Sequence, residues 1–576
     1  MIHVPTIKTA YRPRPPRNWR ALAFTAAATV LISSLVVWAN STNCMQLVIA
    51  SSKEKYDLLA QIAATYPARR VDRQCVTVKV IEKASGTAER ALAGDWRNES
   101  DPRPDVWSPA ARTWLLLLRQ DREKDKLSDI LPATAQSLIQ SPLVIAMPEE
   151  MARTLLQARD RPGWHDLLTL ARDPQGWARF GKPWGAFQLG KTTPRISTSG
   201  LHALISLNNA AQAEDSPTTF LASVESRVLH YPDSVGTFLS NLRRADRDGN
   251  AKKYVSAIAV EEKQVFDYNR GITDDPCEDC PQVPNERLMA LYPKEGTLIA
   301  DHPYAILSWA DDAHQQAARD FEDYLETPAV QSLLQKEGFR NYLGVAGDVL
   351  ERDLFDPDAP RVFYAPPTQA ALAEMLRVWS TDIRKRANAL ILLDIGPSLE
   401  FPATGSTTKK LDLVRRAIAT SLDDLLADDD ALGLWTFPTA DGRPFDEVLP
   451  MARRGPPPFA VASRADSLTT ITAGRALYTA IRAASDRVQA EFVEGRVNAV
   501  IVVSDGVNGT SDRLNDLVKA LKERPPERRV PIFTIYLRAE LKDDLRRIAS
   551  ESGGVSCDAT DATKITDCVR NALANL

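Results

Sequence analysis

Two kinds of apolar pattern alternate along most of this chain. Short, nearly unbroken apolar runs end in small polar or acidic residues, and a stretch with helical spacing follows each one. MQLVIA (45–50) is the first run; Ser51-Ser52 and the helix-like KEKYDLLAQIAATY come after it. CVTVKVIEKA (75–84) leads through Ser85-Gly86-Thr87 into a second helix. Pro104 to Trp107 opens a third strand, SPLVIAMP (141–148) is a fourth between prolines, and WGAFQLG (184–190) is a fifth. RVLHY (227–231) and SAIAVE (256–261) continue the series. This alternation predicts a parallel α/β sheet with crossover helices. The segment 45–345 is about twice the size of a usual single core, which predicts two lobes.

Residues 346–385 read as a joint. Pro357, Pro360, Pro366 and Pro367 mark an extended stretch, and a helix-like run from Gln369 to Ser380 follows, free to pack on either neighbour. The pattern then resumes over 386–576. NALILL (388–393), ALGLWTF (431–437), NAVIVVSDG (498–506) and VPIFTIYL (530–537) are runs rich in Val, Ile and Leu, separated by helical stretches. Strands apolar on both faces predict a doubly wound parallel sheet covered by helices.

The N-terminus changes the picture of where these modules sit. Residues 1–20 carry Lys8, Arg12, Arg14, Arg17 and Arg20 and no acid, and residues 21–38 are free of charge. Eighteen helical residues rise about 27 Å, close to the hydrocarbon thickness of a bilayer. Positive charge before the span predicts a transmembrane signal anchor over 21–39, a cytoplasmic leader over 1–20, and the bulk of the chain outside a cell membrane crossed once. A cleaved signal peptide is the competing reading, since Val37-Trp38-Ala39 leaves small residues near a cut. An exterior location permits disulfides. Six cysteines allow fifteen connectivities. The local set, Cys44/Cys75, Cys277/Cys280 and Cys557/Cys568, closes the shortest loops. Cys277 and Cys280 have redox spacing, but their acidic, proline-bounded loop disfavours a thiolate, so a structural clip is the better reading.

Charge and motif content narrow the function classes. With 71 basic and 75 acidic residues the chain lacks the basic field that nucleic acid demands. It has no G-x-S-x-G, P-loop or H-E-x-x-H pattern, and its six histidines are scattered. No enzyme is predicted. The chemistry lies where strands hand over to helices, because free N–H groups, the helix dipole and short hydroxyl side chains meet there. Ser51-Ser52, Ser85-Gly86-Thr87 and Ser197-Thr198-Ser199-Gly200 share that placement. A Ser or Thr at such a joint is usually only an N-cap. Three in one module point to a cleft for an anion or polar solute.

LVIASS, VIEKASGTAERAL, PDVWSP, TPRISTSGLHAL and ALYPKEGTLIADHPYAIL make residues 45–345 resemble the type II extracellular solute-binding proteins of bacterial transporters. The resemblance implies two lobes closing on a small solute, an oxyanion among the candidates. It places Ser51, Ser52, Ser85, Gly86, Ser197, Thr198 and Ser199 at the cleft, with Tyr268 as a further lining residue. ILLDIGPS, TAGRALYTAI, IVVSDGVNGT and the C-terminal LRRIASESGG make the last ~190 residues resemble a von Willebrand factor A domain, a Rossmann-like fold. Such domains commonly bind Mg2+ or Mn2+ through D-x-S-x-S, a later Thr and a later Asp, and a hard cation favours such oxygen ligands. Asp394, Ser398 and Asp505 match. Gly396 stands where the first Ser belongs, and Arg475 where the Thr belongs, with Thr472 three residues early. A degenerate metal site, an arginine paired with Asp394 or Asp505 in the metal's stead, and a site with neither all remain open. The whole reads as a membrane-anchored binding protein that takes a solute in one module and a protein or cell-envelope partner in the other. The alternative is an accessory solute-binding component of an ABC-type transport system.

Overall fold

The computed structural model describes residues 44–576 apart from 68–69, 72–73, 98, 100, 273–279, 361, 454–459 and 525–527. The basic leader, the predicted span and Cys277 lie outside the described residues. Among the described residues no helix is long and apolar enough to cross a membrane.

The N-terminal module holds two sheets. Its first lobe contains β1 (Met45–Ser51), β2 (Arg70–Val71), β3 (Gln74–Glu82), β4 (Val106–Ser108) and β5 (Gln136–Ser137). A late strand, β11 (Pro303–Ile306), returns to this lobe and gives the order β2-β3-β1-β4-β11-β5. β1 pairs parallel with β3 and β4, as the crossover pattern predicts, but β11 runs antiparallel to β4. The second lobe is built on β6 (Ile139–Pro148), with β7 (Leu189–Gly190), β8 (Ala257–Glu261), β9 (Leu288–Leu291), β10 (Ile299–Ala300) and β12 (Arg340–Asn341). Here the parallel expectation fails. β6 pairs antiparallel with β8, β9, β10 and β12, and only β7 with β8 is parallel. The chain passes between lobes through β6 and β11, which makes two lobes of one module.

Two predicted strands are much shorter than their apolar runs. Of WGAFQLG, only Leu189 and Gly190 join a ladder. Trp184 and Phe187 pack on Trp177, with ring centroids 5.1 and 5.9 Å away, so aromatic packing replaces pairing there. RVLHY keeps a single bridge, Leu189 to Val228.

The C-terminal module is one sheet in the order β15-β14-β13-β16-β17-β18, from β13 (Ala387–Asp394), β14 (Ala431–Phe437), β15 (Asp446–Arg453), β16 (Val497–Ser504), β17 (Ile532–Tyr536) and β18 (Ser556–Asp558). All pairs are parallel except the edge strand β15. β13 and β16 are buried at every position, which is why their apolar runs are unbroken. Cys44–Cys75 and Cys557–Cys568 are disulfides, and Cys280 is also disulfide-bonded.

The helices that shape the sites are α1 (Lys53–Thr65), α2 (Ser85–Ala93), α3 (Thr113–Lys124), α4 (Thr198–Ala211), α5 (Val235–Arg247), α6 (Gln369–Val378) and α7 (Ala562–Ala574). The joint is built into both lobes. α6 packs on α3 of the first lobe and α4 of the second. Thr297 and the segment 362–364 exchange backbone hydrogen bonds of 3.2 and 2.8 Å. The C-terminal module sits on the second lobe. The Asn241 side chain donates to Gly553 O at 3.3 Å, Lys385 N–H donates to the Tyr231 hydroxyl at 3.0 Å, and His230 lies 6.4 Å from the Phe533 ring. One apolar cluster runs from Trp107 in the first lobe to Leu576 just beyond α7.

Candidate functional site

Strand ends and helix starts converge between the lobes. α1 begins at Lys53 after β1, α2 at Ser85 after β3, α4 at Thr198, and α5 at Val235 with Ser234 capping Thr237 N–H at 3.1 Å. All four starts border a cavity of about 160 Å³. Each helix start brings the positive end of its dipole to the cavity. Lys83, Ser85, Ser197 and Thr198 line it, and so do Asp567 and Asn571 from α7 of the C-terminal module. A neighbouring groove of about 360 Å³ shares Lys53, Glu54 and Ser234.

The predicted cleft residues separate into groups. Ser85, Ser197 and Thr198 line the cavity. The Ser85 hydroxyl accepts from Ala110 N–H at 3.1 Å, and Thr198 accepts from the Trp114 indole at 2.8 Å, which ties the first lobe to the second. Gly86 donates its N–H to Ile196 O across the lobes at 3.0 Å. A Cβ there would run into Arg195 O and lie 2.8 Å from Trp114, so only glycine permits this approach. Ser51 and Ser52 are buried and line neither the cavity nor the neighbouring groove. Ser52 is the residue before α1 but caps nothing with its side chain; it accepts from Lys55 Nζ at 2.8 Å. Ser199 turns to Gln264 Oε1 at 3.3 Å. Tyr268 lines neither cavity. It is fully buried beside Arg243, whose guanidinium is 5.9 Å from its ring, and burial pushes its hydroxyl pKa up.

Lys83 is the hub of the cavity's rim. It is nearly buried and pairs with Glu99, with Asp101 at 3.3 Å and with Asp567 at 3.2 Å. Burial would lower its pKa, but Asp567 and Glu99 outweigh that and raise it. Deeper in the seam lie three buried ionisable groups. Burial lowers Lys55 to about 7. Glu261 and His302 stand 3.6 Å apart, fully buried, with burial holding the acid's pKa up and the imidazole's down.

The second predicted site lies at the carboxyl ends of β13 and β16. Asp394 Oδ1 accepts from Gly396 N–H and Oδ2 from the Ser504 hydroxyl, both at 2.7 Å. Asp505 accepts from the Ser398 hydroxyl and from Val507 N–H at 3.0 Å. Arg475 Nη1 is 2.5 Å from Asp505 Oδ1 and 3.6 Å from Asp394 Oδ2. Burial and the neighbouring Asp505 push Asp394 up to about 7. For Asp505 burial is outweighed by the hydrogen bonds from Arg475 and Ser398, and its pKa is lowered. Asp394, Ser398 and Asp505 therefore do come together, while Thr472 is exposed in the preceding loop. The Arg475 guanidinium holds the position facing both acids.

A family profile described as bacterial extracellular solute-binding protein matches residues 47–340, just over half of the chain. The chain belongs to that family. Membership puts the solute-binding module on the extracellular or periplasmic side, where its disulfides are stable. Two Mycobacterium tuberculosis proteins, of strains CDC 1551 / Oshkosh and ATCC 25618 / H37Rv and both described as uncharacterized, are each 23% identical over 449 residues. The match takes in 76% of this chain, and the chain spans 62% of the length of those relatives. Among solved structures, the sulfate-binding protein SubI of Mycobacterium tuberculosis H37Rv aligns at 14% identity and TM-score 0.36 over 58% of this chain and 96% of its own. The periplasmic binding protein AfuA of Actinobacillus pleuropneumoniae, with fructose-6-phosphate bound, aligns at 14% identity and TM-score 0.40 over 59% and 98%. A von Willebrand factor type A structure from Catenulispora acidiphila aligns at 18% identity and TM-score 0.27 over 33% of this chain and 42% of its own.

Lys83, Asp567 and Asn571 line the solute-binding module's cavity and escape the sequence reading. Lys83 stands in VIEKASG, two residues before Ser85, so its position beside the α2 start was a usable signal. Asp567 and Asn571 carried none. Nothing in their own module's pattern tells that α7 would face another module's cleft.

Proposed function

We propose that this chain is a membrane-anchored extracellular binding protein, held by the apolar segment 21–38, whose solute-binding module takes a small polar solute between its lobes. The observation that carries the reading is the cavity at four helix starts, with hydroxyl groups of Ser85, Ser197 and Thr198 in its wall. Convergent N–H groups and hydroxyls recognise a polar solute without a large apolar surface. At about 160 Å³ the cavity suits a solute of metabolite size or smaller. The C-terminal module docks a protein or cell-envelope partner. Because α7 supplies part of the cavity wall, solute and partner are coupled: a solute that binds one arrangement of α7 better than another shifts its population. An α7 held in the wall favours this coupled role over delivery to a permease.

Native mass spectrometry of the full chain, extracted in detergent, tests the solute half. A co-purifying small molecule is expected in the wild type and absent in Ser197→Phe, which fills the cavity. The same molecule retained by Ser197→Phe would overturn the cavity assignment.

A further inference from the structure

The acidic pocket of the C-terminal module departs from a metal-binding pattern at positions 396 and 475, and the two departures are one. Gly396 has φ −67° and ψ 166°, extended backbone that any residue adopts, so glycine is not required there by conformation. It is favoured by space. A Cβ on Gly396 would lie 2.9 Å from Asp394 Oδ1, 3.0 Å from Arg475 Nε and 3.1 Å from Arg475 Cδ. A serine would push its hydroxyl further into that volume. The missing side chain is the room in which Arg475 lies.

The arginine uses that room to face both acids. Its Nη1 is 2.5 Å from Asp505 Oδ1 and 3.6 Å from Asp394 Oδ2. Mg2+ needs oxygen ligands at about 2.0–2.1 Å in near-octahedral array. The same acids instead meet N–H donors, and Gly396 contributes no oxygen from a side chain. The acids also accept from Gly396 N–H, Val507 N–H and the hydroxyls of Ser504 and Ser398. A guanidinium is always charged and presents a planar fork of donors that suits carboxylates.

We propose that Gly396 and Arg475 are a matched pair that gives this site a built-in cation, so that the C-terminal module works without a divalent metal. The inference rests on the reading of that module as a docking module, but its test involves no partner, so its failure leaves the docking reading standing. The full chain in detergent is titrated with Mn2+ and free Mn2+ is followed by electron paramagnetic resonance. Wild type and Asp505→Asn are expected to leave the same free signal, whereas Gly396→Ser/Arg475→Thr takes up one Mn2+ per chain and gains a melting midpoint sensitive to EDTA. Uptake by the wild type that Asp505→Asn abolishes would overturn the proposal. So would a double variant that melts like the wild type yet takes up no Mn2+. A stability cycle over the two single variants and the double covers the case of a poorly folded double variant. Gly396→Ser is expected to cost less once Arg475 is Thr, because the crowding is relieved. Strict additivity would contradict the pairing.

Discussion

Gly86 shows how much one atom decides at the seam between the lobes. Its N–H bonds across to Ile196 O, and the space where a Cβ would stand is taken by Arg195 O and the Trp114 ring. Gly86→Ala is therefore expected to destabilise the chain by about 1–3 kcal/mol, the usual cost of overpacking, measurable as a lowered midpoint in urea. A neutral substitution would mean the lobes do not meet there. His202 makes a prediction in pH. It is buried, with Nε2 3.3 Å from Thr113 Oγ1, and burial lowers its pKa from 6.5 to about 3. Between those values the unfolded chain holds a proton that the folded imidazole refuses. The contribution is full above pH 6.5 and is lost as pH falls, at about 1.4 kcal/mol per pH unit. His202→Gln should flatten the stability curve between pH 6 and pH 4, in the same sample range of urea titrations. An unchanged slope would mean that the imidazole is not buried neutral.

At the scale of elements, the sequence was most legible where local physics decides. β1, β13, β14, β16 and β17 are where their apolar runs put them, because strands buried on both faces admit little else, and β3 is there too although most of its positions are only half-buried or exposed. The joints at Ser85 and Ser197-Thr198 lead into helices that start at the cavity, since short hydroxyl residues mark such turns. What was less legible was longer in range. Ser51, Ser52, Ser199 and Tyr268 are buried and line neither cavity, and no local pattern distinguishes a residue in a wall from one away from it. The antiparallel pairing of β6 depends on β9, β10 and β12, over a hundred positions later in the chain. α7 belongs to the same class of surprise. Its Asp567 meets Lys83, which Glu99 and Asp101 also hold. The two partners are not equal. Lys83→Met leaves three partly exposed acids without their shared cation and should cost about 1–3 kcal/mol, while Asp567→Asn leaves Lys83 paired and should cost less than about 1 kcal/mol. Equal losses in denaturant titrations would contradict the hub role of Lys83.

Over the whole molecule, two modules that look separable in sequence share one core. The apolar cluster passes from Trp107 through Trp379 to Leu576, and the segment 346–385 is packed on both lobes rather than hanging between bodies. Scanning calorimetry of the full chain is therefore expected to give one cooperative transition. Two well-separated peaks would contradict the shared core. The same continuity is why a solute in the cleft would be felt by α7, a relation that neither module's pattern reveals alone.

The central claim is a live cleft between the lobes, and a thermal-shift screen tests it most directly. The full chain in detergent is heated with oxyanions, sugars, amino acids, Mg2+ and Mn2+ in turn, beside Ser197→Phe. A ligand that binds only the folded state raises the midpoint by mass action. The account predicts a shift with one class of small polar solute that Ser197→Phe abolishes, and none with either metal. No shift with any solute, or a shift with Mg2+ or Mn2+ alone, would contradict it.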